Sequence, residues 1–416
     1  MAIAGGGGGD RAGRPPAWPA WKTSAVSLPR AALTQRMQPF ATTVFAEMSA
    51  LAVRTGAINL GQGFPDTDGP ASLLEDAVSA IRGGANQYPP GPGVPALREA
   101  VAAHQARFRG LRVDPDDVLV TVGATEAIAA AVLALTTPGD EVVTFEPYFD
   151  SYAATIALAG ATRRTAVLRS PDFAVDEAAL RAAFTPRTRL VLLNSPHNPT
   201  GKVFSQAELE LVARLAVEHD TVVLSDEVYE HMTYGVPHVP VASLPGMADR
   251  TLTVSSAGKT FSVTGWKVGW VHGPRELVAA VRAVKQFLTF VGSGPFQPAV
   301  ARALALPDEY FDGLRADLTR KRDLLVAGLE AAGFAVNRPD GTYFVTADAA
   351  PLGYPDAMAL CWDLPELAGV VGVPVAVFHD DREAAPSLVR FAFCKRDGVL
   401  TEAAERLAGL GARLAR

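Results

Sequence analysis

Four short runs limit what this chain can fold into. "DVLVTVG", "DEVVTFEP", "RLVLLNSP" and "DTVVLSDEVY" are almost continuously apolar, and each stops at a polar turn. A strand with one wet face alternates; a strand that does not alternate is covered on both faces. Helical patterns such as "ATEAIAAAVLALTT" and "QAELELVARLAVEH" separate the runs. The alternation predicts an α/β fold with a largely parallel, doubly wound sheet, whose ligands sit at the carboxyl ends of the strands. From about Pro307 the texture changes. The long charged helix "DEYFDGLRADLTRKRDLLVAGLEAAG" leads into the short strands "GTYFVTA" and "LVRFAFC", which predicts a second, smaller α+β domain. The expected partition is a large domain over residues 60–300 and a small one built from 37–59 and 307–416.

Residues 1–36 read differently. "MAIAGGGGGDRAGRPPAWPAWKTS" is rich in glycine and proline, shows no period, and has neither a signal-peptide core nor the amphipathic look of a transit peptide. It is expected to be a disordered extension, with regular structure starting near Met37, a candidate start of translation. The net charge of −6 and the absence of a basic stripe argue against nucleic acid as a partner. Two cysteines, Cys361 and Cys394, make neither a disulfide framework nor a metal-ligand spacing, so a reducing cytoplasm is the expected setting. No apolar run approaches the length of a bilayer span.

The strand ends carry the chemistry. In "VSSAGKTFSVTGWKVGW", Lys259 sits in a small-residue turn between two strand-like runs. A surface loop is the bland reading; a Schiff-base lysine for an aldehyde cofactor is the chemical one. "VTVGATEAI" puts Gly123 before a helix whose first N–H groups, Ala124 and Thr125, suit a phosphate, although a plain turn looks the same. "FEPYFDSY" offers Tyr148, Phe149 and Tyr152, which either stack on a flat ligand or pack in the core. "NSPHNPTG" sets Asn194 and Asn198 in a rigid turn. "LSDEVYEH" ends an apolar strand on Asp226, Glu227 and Tyr229, and a buried acid needs a partner. Each signal is weak alone. Together they supply what a pyridoxal phosphate site needs: a lysine, a phosphate cup with a serine of "SAGK", and an acid for the ring nitrogen. They also supply a hydroxyl and an amide for the ring oxygen, and a ring for one face.

At this point the chain resembles the class I/II aminotransferases, the fold-type-I pyridoxal phosphate enzymes, from roughly Met37 to its end. "NLGQGFPD", "NQYPPGPG", "NSPHNPTG", "SDEVYEH", "SSAGKTFSVTGWKVGW" and "RFAFCKRD" follow in the family's order. The likeness is to the branch of kynurenine/glutamine, methionine and N-succinyldiaminopimelate aminotransferases. "ATTVFAEMSALA", "NQYPPGPG" and "FVGSGPFQPAV" lean toward the last. The resemblance implies Lys259 as the Schiff-base lysine and proton shuttle, and Asp226 as partner of the ring nitrogen. It implies Tyr229 and Asn198 at the ring oxygen, Ala124, Thr125, Ser256 and Lys267 at the phosphate, and Phe149 as the stacking ring. It implies Arg390 with Gly63 and Asn198 at the substrate α-carboxylate. Tyr88 and Phe290 are implied to be lent across the interface of a homodimer. Lys267 stands where the wider family commonly has arginine, a mark of this branch.

The implied activity is ping-pong transfer of an amino group from an amino acid to 2-oxoglutarate, with N-succinyl-LL-2,6-diaminopimelate (lysine biosynthesis) as a donor to test. Kynurenine, glutamine or methionine transamination, or β-elimination from a cysteine conjugate, is the alternative. A cofactor-binding regulator would need a helix-turn-helix pattern, and the N-terminus has none. A nicotinamide dehydrogenase would need G-x-G-x-x-G where the chain has "TVGATEA".

Overall fold

The computed structural model describes residues 33–41 and 43–414; the extension expected over residues 1–36 falls largely outside them. Regular structure starts at Gln35, in a 3-10 turn to Phe40 just ahead of Met37. Helix α1 (Val44–Thr55) begins where the Thr43 hydroxyl accepts from Ala46 N and ends at Gly56, whose φ of 66° suits a residue without Cβ.

The main sheet has seven strands: β1 (Val118–Val122), β2 (Glu141–Glu146), β3 (Thr162–Val167), β4 (Thr188–Asn194), β5 (Val222–Asp226), β6 (Thr251–Ser256) and β7 (Val268–His272). Their spatial order is β1-β7-β6-β5-β4-β2-β3. Every pairing is parallel except those of β7, which runs against both β1 and β6. The unbroken apolar runs follow from packing on both faces. Val191 and Leu193 of β4 enter one core with Val143, Phe145 and Val223. Leu190 and Leu192 enter the opposite core with Val142, Leu224, Leu252 and Val254. With a side-chain period of two, both faces of these strands are covered, so the few polar residues within them, such as Thr144 and Thr253, are small and buried.

Helix α2 (Gly123–Leu135) follows β1 directly. Helix α3 (Gln206–Glu218) connects β4 to β5 behind a capping box of Ser205 and Glu208. The charged helix α4 (Asp308–Ala332) is a single element of 25 residues. It precedes a four-stranded antiparallel sheet of β8 (Ala335–Asn337), β9 (Phe344–Asp348), β10 (Val373–Pro374) and β11 (Leu388–Ala392), in the order β10-β11-β9-β8. Helix α1 packs on the helix Ala357–Ala368 and on β10, beside this second sheet. The architecture is that of an α/β protein with a mostly parallel sheet flanked by helices and a smaller α+β part. Among the described residues no helix is long and apolar enough to cross a membrane.

Candidate active site

A cavity opens at the carboxyl edge of the main sheet. Its walls include Ala124, Thr125, Phe149, Asn198, Asp226, Tyr229, Ser256, Lys259 and Lys267, nine of the residues singled out in the sequence. Strand pairing explains the convergence. Asn194 of β4 is opposite Asp226 of β5, and Asp226 is opposite Val254 of β6. Because β7 runs backwards, its first residues pair with the last of β6 and β1: Gly269 with Ser256 and Val268 with Val122. Lys267, just before β7, therefore reaches the same edge as the parallel strands' carboxyl ends.

Lys259 lies on the one-turn helix Ala257–Thr260 that follows β6. A Cβ on Gly258 would stand 3.0 Å from Thr264 Cα, so the small residue lets this turn pack against the next segment. The Lys259 amine points into the cavity, 5.7 Å from the ring centre of Tyr229 and 5.6 Å from that of Tyr343. Burial lowers its pKa to about 8, and the cations of Arg390 and Lys267 act in the same sense. An amine so placed is a nucleophile and base near neutral pH.

The two acids of "SDEVYEH" are sorted by the pleat. Glu227 turns away from the cavity, accepting from Ser225 Oγ at 2.7 Å and pairing with His238 Nε2 at 2.7 Å. Asp226 faces the cavity, with the Tyr152 hydroxyl donating to Oδ2 at 2.5 Å and Val228 N to Oδ1 at 3.3 Å. Burial raises the Asp226 pKa to about 6 despite those bonds and the Lys259 charge. A cation brought against this carboxylate would relieve the cost. Tyr152→Phe deletes the stronger donor, so the acidic limb of the activity profile is expected to move to higher pH. A pH titration of kcat checks this; an unmoved or lowered limb counts against the hydrogen bond.

The other end of the cavity suits an anion. Ala124 and Thr125 form the first turn of α2, where unpaired N–H groups and the positive end of the helix dipole meet. Lys267, in a left-handed conformation with φ of 55°, reaches this terminus; a Cβ on Gly123 would lie 3.0 Å from its Nζ. Among the described residues no carboxylate pairs with Lys267. A cation held at the positive end of a helix calls for an anion between them.

Arg390 of β11 stands one hydrogen bond behind the cavity wall. Nη1 donates to Asn198 Oδ1 at 2.8 Å and Nη2 to Gly61 O at 2.9 Å. The guanidinium lies 4.1 Å from the ring centre of Phe344 and within 5.2 Å of those of Phe45 and Phe378. It is buried, its pKa is lowered to about 10 chiefly by burial, and Nε has no partner among the described residues. Asn198 is tied back to Asp226: Asn198 N donates to Asn194 Oδ1 at 2.7 Å, and Asn194 Nδ2 to Asp226 O at 2.9 Å. Gly63 lies on the neighbouring loop, where its carbonyl accepts from the Tyr343 hydroxyl at 2.6 Å. Tyr88 and Phe290 are elsewhere. They pack edge to face, 5.4 Å apart, and are 80% and 41% exposed. Within one chain the structure does not bring them to the cavity.

The sequence profile of the family "Aminotransferase class I and II" matches residues 55–407. This chain belongs to the class I and II aminotransferases. It is 55% identical to the probable N-succinyldiaminopimelate aminotransferase of Mycobacterium tuberculosis, over 91% of this chain and 98% of that one. It is 42% identical to the methionine aminotransferase of Escherichia coli, over 89% and 97% of the respective chains. The structure of the Mycobacterium tuberculosis N-succinyldiaminopimelate aminotransferase superposes with a TM-score of 0.89, covering 91% of this chain and 100% of that one. The fold is therefore fold type I, and the protein is a pyridoxal phosphate-dependent transaminase.

The aminotransferase cavity fits such a cofactor on its own charges. Among the described residues the buried Asp226 has no ion-pair partner, Lys267 at the helix N-terminus pairs with no carboxylate, and neither does the buried Arg390 guanidinium. Three residues of this aminotransferase site escaped assignment from the sequence. Tyr152 and Asn194 were visible only as members of aromatic and Asx-Pro turns, and Tyr343 in "GTYF" carried no signal beyond strand propensity.

Proposed function

We propose that this transaminase moves the amino group of an amino acid, with N-succinyl-LL-2,6-diaminopimelate as the leading donor, to 2-oxoglutarate in a ping-pong cycle. The observation that carries the donor is the 55% identity, over 91% of the chain, to a probable N-succinyldiaminopimelate aminotransferase. A panel of donors tested against 2-oxoglutarate decides it: N-succinyl-LL-2,6-diaminopimelate, kynurenine, glutamine and methionine. The succinylated donor is expected to have the highest kcat/KM. A higher value for methionine or kynurenine, or pyruvate release from a cysteine conjugate exceeding amino transfer, overturns the assignment. The two buried free thiols, Cys361 and Cys394, support a reducing setting such as the cytoplasm.

Pyridoxal 5'-phosphate, when bound, supplies an aldehyde that captures amines and a conjugated ring that delocalises charge from the substrate Cα. Asp226 would hold the ring nitrogen protonated, because an adjacent anion favours the cation. Tyr229 and Asn198 would donate to the ring oxygen, and Phe149 would cover one face. The first turn of α2 at Ala124 and Thr125, with Ser256 and Lys267, would grip the phosphate. Lys259 would take the proton from Cα as a base and return it as an acid. Arg390, with Gly63 and Asn198, would fix the α-carboxylate and so the direction of the Cα–H bond.

The reading extends to assembly. Tyr88, Phe287, Leu288 and Phe290 are all exposed, Phe287 by 89%, in a patch that a second copy of this chain would cover. Tyr88 of the partner subunit would then reach the phosphate, and Phe290 of the partner subunit would line the substrate side. Mixing two inactive variants tests this. In a hybrid of Lys259→Ala with Tyr88→Ala, one site has both native residues, and activity absent from each parent is expected to return. Full activity of Tyr88→Ala alone, or dead hybrids from parents that still dimerise and bind cofactor, counts against the shared site.

A further inference from the structure

The run Leu60–Asp66 is fastened along its length to β11, its continuation and Tyr343, just before β9. Leu60 O accepts from Ala392 N at 2.7 Å, and Gly61 O from Arg390 Nη2 at 2.9 Å. Gly63 O accepts from the Tyr343 hydroxyl at 2.6 Å, and Phe64 O from Lys395 Nζ at 2.6 Å. Asp66 Oδ1 accepts from Arg396 N at 2.7 Å. On the donor side, Gly61 N and Gln62 N are used by Asn59 Oδ1, at 3.0 and 3.2 Å. The N–H groups of Gly63 and Phe64 donate to nothing among the described residues.

We propose that Tyr343 and Lys395 are positioning residues for the substrate carboxylate, holding Gly63–Phe64 so that its two free N–H groups form a fixed neutral arm beside Arg390. The proposal rests on the reading of Arg390 as the carboxylate partner. In a trans peptide the C=O and N–H point in opposite directions within one plane. The bond from Tyr343 to Gly63 O therefore sets the direction of the Phe64 N–H. Lys395 fixes the far side of Phe64, and its amine also lies 4.8 Å from the Phe64 ring centre. The spacing to Arg390 is set by one ring. A Cβ on Gly63 would strike Phe344 Cζ at 2.4 Å, and the Phe344 ring carries the Arg390 guanidinium at 4.1 Å. Both residues are buried, Tyr343 at 1% and Lys395 at 6% exposure, which makes these two bonds costly to lose.

Steady-state kinetics of the holoenzyme test this. In Tyr343→Phe the KM values for the amino donor and for 2-oxoglutarate are both expected to rise about three- to tenfold, because both carry the same α-carboxylate. The rise in KM is expected to exceed any fall in kcat, with the cofactor absorbance unchanged. Lys395→Met should act in the same direction and Lys395→Arg should restore most of the loss, which separates the two residues if Tyr343→Phe folds poorly. Unchanged KM in both Tyr343→Phe and Lys395→Met, a loss confined to kcat, or a loss of cofactor absorbance overturns the proposal. A wild-type protein without transaminase activity would overturn the reading of the site instead.

Discussion

Lys259→Ala is expected to lower amino transfer by on the order of 10⁴-fold, the upper range for loss of a positioned proton-transfer group. Among the described residues lining the cavity the only other side-chain amine is Lys267, and it lies at the α2 terminus, beside Gly123. The variant should still retain pyridoxal phosphate through the helix terminus, Ser256 and Lys267, but with the near-visible band of a free aldehyde. Single-turnover conversion of the amino donor, followed in that band, is the measurement. Turnover within about a hundredfold of wild type would show that another base works at Cα. The same amine predicts a pH effect. With its pKa lowered to about 8, the neutral fraction grows tenfold per pH unit below that value and levels above it. Capture of cofactor by cofactor-free protein is expected to follow that curve; a rate still climbing tenfold per unit at pH 10 would show an unperturbed lysine.

Asp226→Asn is expected to cost roughly 10²–10³-fold in kcat, the range for removing one pre-organised charge partner, and yet to stabilise the cofactor-free protein at pH 7. The pKa of Asp226 is raised to about 6 by burial, above the ordinary 3.8. A group shifted this way contributes stability that is complete below the unfolded value and lost as pH rises to the folded value. At neutral pH the native state therefore holds a carboxylate it disfavours, by about 3 kcal/mol. Asparagine can still accept from Val228 N through Oδ1 and can donate through Nδ2 to the Tyr152 hydroxyl oxygen, without the charge. Urea unfolding of the cofactor-free proteins at pH 5 and pH 7 measures the effect. The variant should gain on wild type between those values. Equal stability at both, with wild-type kcat, would remove Asp226 from the proposed role. This is the form in which a functional site stores cost: the charge that destabilises the empty protein is the one that would meet the ring cation.

The sequence by itself determined what rests on near neighbours along the chain. A nearly unbroken apolar run is a local pattern, and it was enough for β2, β4 and β5. Helical spacing likewise marked α2, α3 and α4. A lysine among small residues, a glycine before a helix and an acid closing an apolar run are each readable within ten residues, so most of the cavity wall was legible. What only the tertiary structure decided depends on groups far apart in sequence. Tyr152 finds Asp226 across 74 positions, and Arg390 finds Asn198 across 192. Lys267 reaches the anion end because β7 is antiparallel, a reversal that its "KVGWVHG" composition does not announce. Asp226 and Glu227 are chemically alike and adjacent; the pleat sends one to the cavity and the other to His238. Tyr343 was silent for the same reason: its hydroxyl is defined by Gly63, 280 residues away, and strand propensity says nothing about what a side chain will meet.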